Sequence, residues 1–237
     1  FKYLESQITK NSSWLNFVSP GFLKYPHMNP KGKKINLFTN GIDNIFINDL
    51  RNKKAAKKNW EKDKPLIITY AGNIGYGQGF EHTLVHIAHY FRGKIKFNII
   101  GDGSSVGIIE NQIKDKKLEN IKLSKPVKRT RLIDLYKKSD VLFLQLNNVK
   151  AFEKVLPSKI FEYASFNKPI LAGVNGVARD FLSEKIDSTF IFEPNNYQEA
   201  IEKIYQILSL KDFKISNYKF IKAYSRDTIM TKMSESI

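Results

Sequence analysis

A chain of 237 residues with 42% hydrophobic content can bury one large core or two small ones, and is not an intrinsically disordered segment. It has no cysteine, which excludes disulfides and thiolate metal sites and leaves a cytoplasmic setting as the default. The net charge of +16 is spread through lysine-bearing helices and loops with little arginine, so nucleic acid is not an expected partner; a Lys- and Asn-rich composition and attraction to an anionic membrane surface both fit.

In chain order, the first ~25 residues read as a helix followed by a strand end and turn at Val18-Ser19-Pro20-Gly21-Phe22. The opening Phe1-Lys2-Tyr3-Leu4-Glu5 is not laid out as a signal peptide, and no apolar run approaches the roughly 20 residues of a membrane span. A short strand at 35–38 leads to Thr39-Asn40-Gly41-Ile42-Asp43, and the basic stretch 51–64 reads as an exposed linker or short helix. From Pro65 the pattern becomes regular. Strands are expected at 66–71, 94–100, 121–123, 140–146, 169–172 and 189–192, separated by helices at 80–92, 105–117, 129–138, 157–166 and 177–184. Helices at 195–209 and 216–235 close the chain. Apolar strands alternating with helices imply an α/β, Rossmann-like parallel sheet with helices on both faces.

In such a sheet ligands bind beyond the carboxyl ends of the strands, which selects the loops 72–79, 101–104, 124–128 and 147–158. The first carries Gly72, Asn73, Gly75, Gln78 and further glycines, whose backbone N–H groups can approach an anion; a ligand-free tight turn is the alternative. Its spacing is neither Gly-x-Gly-x-x-Gly nor a Walker loop. After Gly101, Asp102 suits either a ligand hydroxyl or capping of the helix near Ser104 and Ser105, capping being the expectation. In the last loop Pro157 opens a helix, Ser158 and Lys159 stand at its positive end, and Glu162 shares the face of Ser158. That pattern suits an anion beside a pair of sugar hydroxyls, or else a plain Lys159–Glu162 helix pair. His82, His86 and His89 lack carboxylate partners at matching spacing and read as solvent-side or packing residues, not a metal face.

The segments Asn40-Gly41-Ile42-Asp43, Tyr70-Ala71-Gly72-Asn73-Ile74-Gly75, Ile100-Gly101-Asp102-Gly103, Leu156-Pro157-Ser158-Lys159-Ile160-Phe161-Glu162-Tyr163-Ala164 and Lys168-Pro169-Ile170 occur in this order. Together they resemble the C-terminal, donor-binding half of a GT-B glycosyltransferase of the large retaining family 4 (group 1), nearest to the subgroup that builds O-antigens and capsules. The resemblance covers roughly 12–225. It implies that 1–39 is the last helix and strand of an N-terminal acceptor domain, 40–64 the inter-domain linker, 65–215 the nucleotide-sugar domain and 216–237 a crossover helix.

The implied reaction is transfer of a hexosyl- or N-acetylhexosaminyl-type sugar from a nucleoside diphosphate, UDP by preference, to a hydroxyl of a growing, lipid-linked surface glycan. No metal or other cofactor is expected. The protein would lie in the cytoplasm, peripheral to the inner face of the membrane. By the same resemblance Glu162 holds the ribose, and Pro126, Val127 and Lys128 fall where the base is held. The family's first glutamate would fall on Lys154, with Glu153 one residue off, so its role is not carried over. Asn73 and Gln78 stand where the family places an Arg and a Lys for the diphosphate, which leaves Lys159, with the amides of Gly75 and Ser158, as the local substitute and as a leaving-group stabiliser. A nucleotide-sugar epimerase or hydrolase of the same fold, and a non-catalytic basic binding module, are the alternatives.

Overall fold

The computed structural model describes residues 2–23, 34–48, 57–58, 64–210 and 213–236. Most of the basic stretch 51–64 lies outside the described residues. Helix α1 (Lys2–Asn11) precedes strand β1 (Trp14–Phe17), which pairs in parallel with β2 (Lys34–Leu37). Helix α2 (Asn44–Asn48) follows, and β3 (Lys57–Lys58) pairs with β10 (Phe213–Lys214) in a two-residue antiparallel ribbon.

The main sheet consists of β4 (Leu66–Asn73), β5 (Ile95–Asp102), β6 (Ile121–Ser124), β7 (Val141–Gln145), β8 (Ile170–Gly173) and β9 (Thr189–Phe192). All six strands are parallel, in the order β6-β5-β4-β7-β8-β9. That is the doubly wound order, which reverses direction beside β4 and opens a crevice there. Successive residues of one strand feed opposite cores, as the two-residue period requires. Ile68, Tyr70 and Phe143 pack with α3 (Leu84–Tyr90), α4 (Val106–Asp115) and α8 (Tyr197–Leu208). Ala71, Leu142 and Leu144 pack with α5 (Arg129–Lys138), α6 (Lys159–Ala164), α7 (Gly176–Lys185) and α9 (Tyr218–Tyr224).

Two expected helices are altered. The one at 80–92 opens as a 3-10 turn, Phe80–His82, before α3 begins at Leu84. The expected helix 216–235 is broken at Ser225, which is extended (φ −60°, ψ 145°), pairs with Ile42 in a parallel bridge and caps α10 (Arg226–Ser234) by accepting from Thr228 N. Joining the 40–44 segment removes Ser225 from the helix, and its hydroxyl then starts a new one. His82, on the 3-10 turn, and His89, on α3, are exposed, and His86 of α3 stacks on Tyr197 with ring centroids 4.6 Å apart.

Candidate nucleotide site at the sheet crevice

Beyond the carboxyl ends of β4 and β5 lies a cleft of about 310 Å³, a volume within the ordinary range of small-ligand pockets. Ala71, Gly72 and Asn73 form one wall; Ile100, Gly101 and Asp102 the next; Pro126, Val127 and Leu132 the apolar side. Lys159 and Glu162, one turn apart on α6, close it.

Two glycines make this geometry possible. Gly72 has φ +152°, and a Cβ there would collide with the Cε and Nζ of Lys159. Gly101 has φ +156°, and its Cβ would strike the carbonyl of Gly72. The bare backbone at 72 is therefore what lets the Lys159 ammonium lie along the loop, 5.6 Å from the centroid of the Tyr70 ring. Tyr70 is buried and donates its hydroxyl to the Asn73 carbonyl (2.6 Å), which fixes the loop's first turn.

Lys159 and Glu162 are the polar pair of the cleft. Burial pushes the Glu162 carboxyl above its ordinary range; Lys159 and Arg129 oppose this and Asp43 adds to it. Burial likewise pulls the Lys159 ammonium below its ordinary range, opposed by Glu162. Among the described residues neither side chain makes a hydrogen bond or a close ion pair, so the alternative reading, a plain Lys159–Glu162 helix pair, is not formed. Two half-buried, opposite charges thus stand on one cleft wall without a hydrogen-bonded partner among the described residues, Lys159 lying over the Tyr70 ring. A cation and a carboxylate one turn apart suit a ligand with an anionic end and a hydroxyl-bearing end.

The profile of the family described as "Glycosyl transferases group 1" matches residues 51–226. The chain belongs to this glycosyltransferase family. No curated protein sequence matches it. Among solved structures it is similar to a Rickettsia africae glycosyltransferase (TM-score 0.73, 19% identity, 99% of this chain and 65% of that one). It is also similar to Anabaena HepE in complex with UDP-glucose (0.72, 14%, 99% and 66%) and to a mutant of S. aureus TarM in complex with fondaparinux, alpha-GlcNAc-glycerol and UDP (0.69, 17%, 99% and 45%). At these identities the likeness is one of fold, and the chain spans 45–66% of the lengths of these structures.

Of the residues expected at the site, the structure brings Gly72, Asn73, Gly101, Val127, Lys159 and Glu162 to the cleft. Gly75, Gln78, Pro157 and Ser158 lie outside its wall. Gly75 N–H is already engaged: the Gln78 Oε1 accepts from it (3.1 Å) and from Asn73 Nδ2 (3.0 Å). The loop is thus closed on itself by the neutral Gln78 amide. Ser158 is exposed, makes no capping bond, and α6 is only Lys159–Ala164, shorter than the expected 157–166. Little is left of the helix-end contribution, and Lys159 carries the positive charge. Asp102 does not cap α4 as expected. Its Oδ1 accepts from Gly103 N and its Oδ2 from Lys125 Nζ (3.1 Å), which holds it below its usual carboxylate range.

The glycine loop is also bolted from behind by side chains that local pattern reading passed over. Gln145, fully buried at the end of β7, donates to the carbonyls of Gln78 and Gly79 (2.9 Å each) and accepts from Thr83. Asn147 donates to the Tyr76 carbonyl (2.8 Å) and accepts from Asn195. Glu153 and Lys154 are on the 3-10 turn Lys150–Lys154, away from the cleft; Glu153 lines a second, much smaller hollow with Asn147 and Asn175. Among the described residues no three His, Asp or Glu side chains gather as a metal site, and no helix is long and apolar enough to cross a membrane.

Proposed function

We propose that this cleft is the donor site of a retaining, family 4 glycosyltransferase that moves a hexosyl- or N-acetylhexosaminyl-type sugar from a UDP-sugar to a hydroxyl of a growing surface glycan of O-antigen or capsule type. The observation that carries the proposal is the Glu162–Lys159 pair, without hydrogen-bond partners among the described residues, on one wall of a cleft whose other side is apolar. Glu162 accepts from the two ribose hydroxyls. Lys159 meets the diphosphate and stabilises the charge that grows on it as the glycosidic bond breaks, a role a pre-placed cation fills without reorganisation. Pro126, Val127 and Leu132 offer the base an apolar surface. No metal enters this scheme. UDP or UDP-glucose in the structures of HepE and TarM supports uridine as the base.

Residues 1–39 are proposed as the edge of an acceptor domain, 40–64 as the linker, 65–215 as the donor domain and 216–237 as the crossover. A lipid-linked acceptor at the inner face of the cytoplasmic membrane is in keeping with the net charge of +16. Sugar transfer from radiolabelled UDP-sugars by this chain joined to an acceptor domain tests the reading, and absence of transfer from every donor would refute it.

The neutral loop makes a separate prediction. Gln78→Lys removes the acceptor from Gly75 N–H and puts a cation beside Asn73. It is expected to tighten UDP binding about fivefold, the worth of one solvent-screened charge contact, and to make it more salt-sensitive. Uridine affinity stays as it was. Calorimetric titration of both ligands reads this directly, and unchanged UDP affinity would mean that the diphosphate never reaches this loop.

A further inference from the structure

Asp43 lies outside the cleft, between three elements. Its Oδ2 accepts from Arg129 Nη1 at 2.6 Å and its Oδ1 forms an ion pair with Arg226 Nη1 at 2.7 Å, with the side chain only 14% exposed. Arg129 begins α5, two residues beyond Val127 of the cleft wall; Arg226 begins α10. The backbone around Asp43 is fixed as firmly. Ile42 is fully buried, donates to the Tyr224 carbonyl (2.8 Å) and accepts from Arg226 N (3.0 Å), while Asn44 donates to the Asp227 carboxylate (3.1 Å). Tyr224 and Phe220 of α9 pack on Phe161, which sits on α6 between Lys159 and Glu162. The 40–44 segment, the returning C-terminal helices and the cleft helix are therefore one packed cluster, and Asp43 is its ionic centre.

We infer that Asp43 is a positioning residue for the donor site: by clamping Arg129 against Arg226 it sets how much positive charge the cleft rim presents to Glu162 and to a bound nucleotide. The nucleotide part of this inference rests on the function proposed above; the clamp itself does not. The groups that face Glu162 are Lys159 and Tyr163 on its own helix, Arg129 and Tyr136 on α5, and Asp43. With Asp43 in place, the Arg129 guanidinium is held in an ion pair, and the two charges act on Glu162 with opposite sign. Any shift of the 40–44 segment relative to α5 would uncover that charge, so this segment can report its position to the donor site without touching it.

The test uses two variants that break the same ion pair with opposite electrostatic consequences. Asp43→Asn removes a negative charge near Glu162, and Arg129→Gln removes a positive one. With glutamate side chains labelled at the carboxyl carbon and the Glu162 signal identified through Glu162→Gln, NMR titration of the unliganded chain should show Glu162 ionising at lower pH in Asp43→Asn and at higher pH in Arg129→Gln. Asp43→Glu should restore the wild-type titration. Movement in the same direction in both variants, or in neither, would overturn the inference, because loss of a merely structural contact has one sign. If Asp43→Asn does not fold, Arg129→Gln against Arg129→Lys decides: the glutamine variant moves Glu162 upward and the lysine variant does not, and equal shifts overturn the clamp. UDP titration forms a second arm, in which Asp43→Asn tightens binding about two- to fivefold and Arg129→Gln weakens it by a similar factor. Opposite shifts of Glu162 in the two variants, with a wild-type chain that binds no UDP, would leave the clamp standing and remove the nucleotide reading.

Discussion

Glu162→Gln weakens UDP binding by about 1.5–3 kcal/mol, roughly 10- to 150-fold in Kd, and at neutral pH raises the melting temperature of the unliganded chain. The two effects come from one cause. In the proposed donor site the carboxylate would accept hydrogen bonds from both ribose hydroxyls, whereas an amide offers one acceptor oxygen and turns an NH2 group toward the other hydroxyl. In the unliganded cleft the same carboxylate is half-buried without a partner, and burial has raised its pKa above the ordinary value of 4.5. A folded state that holds this proton more tightly than the unfolded chain is favoured at pH below the raised pKa. It loses that advantage as pH rises through it. Above that window Glu162 is a net cost to the wild-type fold, and glutamine removes it. Calorimetric titration and melting curves across pH check both halves. UDP affinity of the wild type should itself fall as pH drops into the range where Glu162 takes up a proton. A variant that binds UDP normally, or that melts lower than wild type at neutral pH, contradicts the ribose assignment.

Lys159→Met is expected to cost about 1.5–3 kcal/mol of UDP affinity, the value of one charge-assisted contact, and to leave uridine affinity nearly unchanged. Methionine keeps the apolar stem that lies over Gly72 and Tyr70, so packing of the loop survives and only the ammonium is lost. The ammonium too is strained before a ligand arrives, since burial has lowered its pKa from 10.5. For a base with a depressed folded pKa the charged form destabilises the fold at every pH below that value. The cost fades as pH rises through the lowered pKa toward 10.5. The methionine variant should therefore melt higher than wild type at neutral pH. Parallel titrations with UDP and uridine distinguish the roles: equal losses for both ligands would place Lys159 away from the diphosphate.

Much of the fold was open to sequence reading where burial alone dictates local structure. The strand Thr189–Phe192 and the helix Arg129–Lys138 fall where they were expected. Continuous apolar runs such as 141–144 admit only a strand buried on both faces. The six-stranded parallel sheet follows from their alternation with helices. At the cleft, helical spacing placed Glu162 and Lys159 on one face but left a plain helix pair open, and it was the family resemblance that singled them out; both line the cleft.

What escaped depends on partners far away in sequence. The break at Ser225 is made by Ile42, 183 residues earlier, and nothing in 216–235 announces it. Asp102 has a capping residue's position but finds Lys125 on the neighbouring loop instead. Gln78 looked like a ligand-facing residue, yet it turns inward to Gly75 because Gln145 and Asn147 hold the loop's carbonyls from the β7 side. Asp43 was recognised only as part of a crossover segment. Its two arginine partners, 86 and 183 positions away, are what give it a role at the cleft.

The central claim is that Glu162 and Lys159 are the two ends of one nucleoside-diphosphate site. A crystal structure of this chain grown with UDP tests it most directly. The account predicts both ribose hydroxyls on the Glu162 carboxylate, the diphosphate against Lys159 Nζ along Gly72, and the base over Val127. UDP bound elsewhere on the chain, or in the cleft with its ribose turned away from Glu162, would contradict it.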